Sequence, residues 1–107
     1  MHTLAPRTVA PFRPAAAFEV LNHPTRKLIL ERLRSGGPAN TIQLADDLGL
    51  STLKLTHHLT LLREAGLIRL RSAEQGQIAT FSPIGWGRLK RSWQSGLRNS
   101  VGLAVVR

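Results

Sequence analysis

The chain has 107 residues, with 15 Lys or Arg against 6 Asp or Glu, a formal charge of +9 and no cysteine. That length fits one small domain, and 42% apolar residues set it apart from compositionally disordered chains. The missing cysteine excludes a disulfide scaffold and any metal site built on thiolates, no apolar run reaches membrane-spanning length, and the surplus of cations predicts an intracellular domain with a polyanionic partner.

Prolines at 6, 11 and 14 make residues 1–14 a flexible, extended arm, without the continuous apolar stretch of a signal peptide. Residues 15–99 form the expected domain. Ala15 to Leu21 predicts a short helix with Phe18 and Leu21 on one side. His23-Pro24 restarts the chain, with Pro24 suited to a first helical position. Through Arg34, residues Arg26, Ile29, Leu30 and Leu33 fall on one helical stripe. A charge on that stripe predicts a buried ion pair for Arg26. Ser35-Gly36-Gly37-Pro38 ends the helix.

A third helix is expected from Asn40, with Gln43 completing a capping box and Ile42, Ala45 and Leu48 facing inward. Gly49 closes it, and Ser51 caps a fourth helix running to about Ala65. Only Gly49-Leu50-Ser51 separates the two, which is helix-turn-helix spacing. Leu55, Leu59 and Leu62 share the inner face of the fourth helix, and Leu53, Thr56, His57 and Thr60 share the outer one. Thr52 and Lys54 add polar groups at its N-terminal end, the end that usually reaches base edges. Thr hydroxyls serve several base edges, His57 can donate to guanine or phosphate, and Leu53 suits a thymine methyl. Glu64 would repel phosphates, so the far end is expected to leave the groove, with Arg63 reaching the backbone. His58, at the edge of the core, reads as a structural hydrogen-bonding residue. His57 and His58 diverge by about 100° around the helix and cannot ligate one metal, and Asp46-Asp47 fails as a carboxylate pair for the same reason.

After Gly66 the period shortens toward two. Ile68 to Arg71 and Ile78 to Phe81 predict a hairpin with Gly76 at a positive φ. Arg69 and Arg71 point outward from it and, with Gln75 and Gln77, suit contact with phosphates or a minor groove. Ser82-Pro83 begins a last helix. Its stripe is Trp86, Leu89, Trp93 and Leu97, while Gly85, Gly87 and Gly96 weaken it. The basic far side, Arg88, Arg91 and Arg98, is either a solvated face or a contact for DNA or an acidic partner. Residues 100–107 form an apolar tail with no assignment.

Helix, helix, helix-turn-helix, hairpin, helix is the order of a winged helix-turn-helix domain, mostly α with a small β-hairpin. Leu21-Asn22-His23-Pro24-Thr25-Arg26-Lys27-Leu28-Ile29-Leu30 resembles the opening signature of the arsenical-resistance-repressor (ArsR) family of bacterial regulators. Leu48-Gly49-Leu50-Ser51, followed by Leu55 to Ile68, resembles that family's recognition helix and the start of its wing. The likeness covers roughly residues 16 to 95. It implies a homodimeric DNA-binding transcriptional regulator of the bacterial or archaeal cytosol, a repressor on an inverted-repeat operator. It also implies a dimer interface on the terminal helices, through Phe18, Leu21, Trp86, Leu89, Trp93 and Leu97.

The chain departs from the family where many members sense metals. Gln43-Leu44-Ala45-Asp46-Asp47 occupies the place of the third-helix cysteine pair, and the last helix carries Gly, Arg and Trp instead of an interface zinc site. His23 replaces the usual acidic residue before the proline. No metal and no cofactor are expected, and no effector is identified. Two other classes compete: a winged-helix protein-interaction module docking through the Trp-bearing helix, and a non-specific basic nucleic-acid binder. An enzyme is not expected, since no nucleophile with a base, carboxylate pair or phosphate loop is evident.

Overall fold

The computed structural model describes residues 14–106, with side chains described for 15–94. The arm expected over residues 1–14 lies outside this range except for Pro14, and so do the side chains of Leu97, Arg98 and the tail. Five helices and three short strands follow in order: α1 (Pro14–Leu21), α2 (Pro24–Gly36), β1 (Ala39–Asn40), α3 (Thr41–Leu48), α4 (Thr52–Glu64), β2 (Ile68–Ser72), β3 (Gln77–Phe81) and α5 (Pro83–Val106). The backbone of the expected tail therefore continues the last helix.

Helices α2 to α5 each start where a side chain satisfies a free N–H group of the first turn. His23 caps α2 through its side chain, which accepts from Thr25 N, and Pro24 follows. Asn40 caps α3 by accepting from Ile42 N at 2.8 Å. The capping box expected there does not form, because the Gln43 amide donates to Asp47 Oδ1 at 2.9 Å instead. Ser51 caps α4 by accepting from Lys54 N at 3.1 Å, and Ser82 does the same for Gly85 N at 3.2 Å at the start of α5.

The hairpin carries a third strand that hydropathy did not show. β1 pairs antiparallel with β3, giving the sheet order β1-β3-β2, with Ala39 opposite Ala79 and Asn40 opposite Ile78. Two residues are too short for a period to register in the sequence. Pairing with β3 also fixes the roll of α3. Thr41, Leu44 and Ala45 are buried and Leu48 is half-buried, while Ile42 is 48% exposed. The inward stripe is thus 41, 44, 45 and 48, and the expected inward Ile42 is corrected. Thr41 earns its buried place by accepting the backbone N–H of Gln77 at 3.0 Å, a bond that hydrophobicity alone cannot anticipate.

The core is assembled from Ile29 and Leu33 of α2, Leu44 of α3, Leu55, Leu59 and Leu62 of α4, and Leu67 beyond it, all essentially fully buried. Burying each such side chain contributes about 1.5–3 kcal/mol. Three of them come from α4, so the inner face of that helix anchors its outer face.

Candidate nucleic-acid interface

The turn between α3 and α4 is set by one backbone conformation. Gly49 adopts φ 66° and ψ 31°, and its N–H reaches back to the Ala45 and Asp46 carbonyls. Leu50 N also bonds Ala45 O, at 2.9 Å. A glycine takes this left-handed conformation without a Cβ clash. The chain then passes through Leu50 to Ser51, which caps α4.

With Leu55, Leu59 and Leu62 inward, Thr52, Leu53, Lys54, Thr56, His57 and Arg63 are exposed, and Thr60 is half-buried. Leu53 is 81% exposed. Leu53, Lys54, Thr56, His57 and His58 line one shallow surface depression. The first turn of α4 carries no acidic residue, so Lys54 adds its charge to the positive end of the helix dipole. Glu64, also exposed, stands at the opposite end.

The wing lies beside this face. β2 alternates, with Ile68 buried, Leu70 half-buried and both Arg69 and Arg71 exposed. Arg69 pairs across the ladder with Thr80, and Arg71 with Ile78. The turn closes through Gly76 at φ 71°. Gln75 is exposed at the tip, whereas Gln77 is half-buried at the start of β3. The structure ties this tip to α3: Asn40 Nδ2 donates to the Gln75 carbonyl at 2.8 Å while its Oδ1 caps α3. Asn40 and Thr41 are therefore wing-positioning residues. The sequence showed Asn40 as a cap, and nothing in the spacing pointed to its second bond.

Among the described residues, Arg26 forms no ion pair. Its Nε donates to His58 Nδ1 at 3.2 Å and its Nη1 to the Val20 carbonyl at 3.1 Å, so the expected carboxylate partner is replaced by two neutral acceptors. His58 is indeed a hydrogen-bonding residue at the edge of the core. Burial, reinforced by the positive charge of Arg26, holds its ring below the ordinary histidine range. Asp47 accepts from Gln43 and from Arg32 at 2.8 Å, and these bonds lower its carboxyl pKa.

On the other side of the molecule, α1 meets α5. The Phe18 and Trp93 rings make an edge contact with centroids 6.0 Å apart, and Trp93 is nevertheless 55% exposed. Phe18, Leu21 and Trp93 line an open groove. Trp86 packs on Phe81 at 6.3 Å, and Leu89 is only 3% exposed within the core of the chain. Arg88, Lys90 and Arg91 are exposed on α5.

Sequence comparison bears on the part that holds the helix-turn-helix. Residues 23–69 match the family described as "Bacterial regulatory protein, arsR family". That stretch runs from the α2 cap to the second residue of β2. The helix-turn-helix over residues 23–69 is an arsR-family domain. The arsR-family domain is 30% identical over 59 residues to an HTH-type transcriptional regulator of Methanocaldococcus jannaschii, an alignment spanning 55% of this chain and 66% of that protein. Its fold is close to that of a possible transcriptional regulator for arsenical resistance, with 26% identity, a TM-score of 0.71 and coverage of 85% of this chain and 94% of the other. An ArsR-like transcriptional regulator from Rhodococcus sp. RHA1 superposes with a TM-score of 0.70 at 23% identity, over 87% of this chain and 88% of that one. This second likeness concerns the fold.

Proposed function

We propose that this arsR-family protein is a dimeric, sequence-specific DNA-binding transcriptional regulator of the bacterial or archaeal cytosol, acting as a repressor on an inverted repeat. The observation that carries this reading is the outer face of α4, where Leu53, Thr56 and His57 stand exposed on a helix whose other side is locked into the core. Two such helices in a dimer would enter successive major grooves, with centres about one helical turn apart. Thr52, Lys54 and Thr60 complete the face, and Arg63, Arg69, Arg71, Gln75 and Gln77 are the proposed contacts to phosphates and the minor groove. The groove formed by Phe18, Leu21 and Trp93 supports pairing of two copies through α1 and α5, since exposed tryptophan at a helix–helix junction is characteristic of interface cores. Leu89 would shape that face from beneath.

Selection of bound sequences from random duplex DNA, followed by a salt titration on the product, tests this reading. One enriched palindrome with a steep loss of affinity in salt is expected. Equal affinity for every duplex would replace it with a non-specific binder, and no duplex binding at about 0.15 M salt would replace it with a protein-interaction module. Thr56→Ala with His57→Ala should relax sequence preference, whereas Arg71→Ala should weaken all duplexes alike. The chain has no cysteine, and among the described residues no cluster of three or more His, Asp or Glu is placed to hold a metal. Zinc is therefore expected to leave operator affinity unchanged, and a severalfold weakening in a zinc titration would contradict this.

A further inference from the structure

The rings of His23 and His58 stand 5.0 Å apart where the start of α2 meets the edge of α4. Both use the same atom as an acceptor. His23 Nδ1 accepts the Thr25 backbone N–H at 3.2 Å, and His58 Nδ1 accepts from Arg26 Nε at 3.2 Å. The same guanidinium extends to the Val20 carbonyl of α1. An imidazole nitrogen accepts only when unprotonated. Neither donor can give way, because a backbone amide and a guanidinium keep their protons at any physiological pH. The bond from Arg26 therefore exists only while the His58 ring is neutral.

Protonation of His58 would break the bond from Arg26, because it would turn the acceptor into a donor and set a second cation against the guanidinium. The ionisable groups acting on His58 are Arg26 and His23 at the start of α2 and His57 on α4 itself. α1 offers the Val20 carbonyl, and α3 and β2, also packed near α4, bring no titratable group to the ring. Among the described residues, no carboxylate hydrogen-bonds to His23, Arg26 or His58 to offset the added charge.

We propose that Arg26 and His58 form a proton-operated latch, which fastens α4 to α1 and α2 while the His58 ring is neutral and releases it when that ring is protonated. Burial already disfavours the charged form of His58. A fold that holds a histidine neutral binds fewer protons than the unfolded chain, so its stability is full above the ordinary imidazole midpoint of about 6.5 and falls as pH drops below it. Asp47 acts elsewhere on the scale, since its carboxyl is held low and loses its contribution only in stronger acid. The consequence for DNA rests on the function proposed above. Acid would loosen the seat of α4 and lower operator affinity, even though added positive charge strengthens non-specific attraction to phosphates.

The substitution His58→Gln keeps an amide oxygen as acceptor for Arg26 and removes the titrating group. Thermal unfolding is measured for both proteins at about pH 7.5 and about pH 5.5, either side of the ordinary imidazole midpoint. The wild type should lose stability in acid, and most of that loss should be absent from the variant. Equal losses in the two proteins would overturn the latch. An NMR titration of the wild-type imidazoles needs no variant: a His58 midpoint below that of an unfolded peptide is expected, and an ordinary or raised midpoint would also overturn it. Anisotropy with the selected operator should show a severalfold acid weakening in the wild type alone. Failure to bind any operator at about pH 7.5 would sink the DNA reading, while unfolding and NMR still decide the latch.

Discussion

Gly85 sits in the first turn of α5 against the Gly66 carbonyl, and a Cβ added there would overlap that backbone. Gly66 itself follows the α4 cap with φ 80°, so the end of α4 and the start of α5 meet through two residues without side chains. Gly85→Ala should therefore cost about 2–3 kcal/mol or more in denaturant unfolding, because backbone atoms must shift to admit the methyl group. Gly87 provides the contrast: its Cβ would meet only the flexible end of Arg91, at 3.4 Å. Gly87→Ala should stabilise the domain by about 0.5–1 kcal/mol through better helix propensity. In the sequence both glycines look alike, as weak points of one helix. Tertiary contact distinguishes them, and a one-dimensional pattern does not contain it. Arg26 departs from its expected ion pair for a related reason. Its place on the apolar stripe was legible, but its partners lie six and 32 residues away and carry no charge.

At the level of elements, α4 is the helix whose local sequence says most. Its start at Ser51, its inward leucines and its exposed outer face all follow from cap chemistry and a 3.6-residue period, and the structure agrees on each. α3 is the opposite case. It has eight residues, too few for hydropathy to fix its roll, and β1 and the Thr41 bond decided which residues turn inward. Ser51→Ala removes one acceptor from the first turn of α4 and should cost about 1 kcal/mol. Its effect on DNA affinity should exceed what that stability loss explains, because Thr52, Leu53 and Lys54 ride on the same turn. Parallel unfolding and binding curves would separate the two effects.

Across the whole molecule, the excess positive charge is distributed by surface rather than concentrated. Lys54, Arg63, Arg69 and Arg71 are exposed along α4 and the wing, whereas Arg88, Lys90 and Arg91 are exposed on α5. If only the first group meets phosphates, neutralising Arg88 and Arg91 should leave the salt slope of operator binding nearly unchanged, while Arg71→Ala should reduce it by about one unit. The proposed pairing through α1 and α5 makes thermal stability depend on protein concentration. Trp93→Glu should abolish that dependence and favour the monomer, as sedimentation velocity would show. The wing's attachment has a thermodynamic consequence as well. Its tip is fastened to α3 by Asn40 and its second strand to β1 at Ile78 and Ala79, so much of the conformational freedom of the hairpin is given up at folding. Less entropy is then left to lose when the wing engages a partner, and Asn40→Ala should appear as a larger entropic penalty in calorimetry rather than as a lost contact.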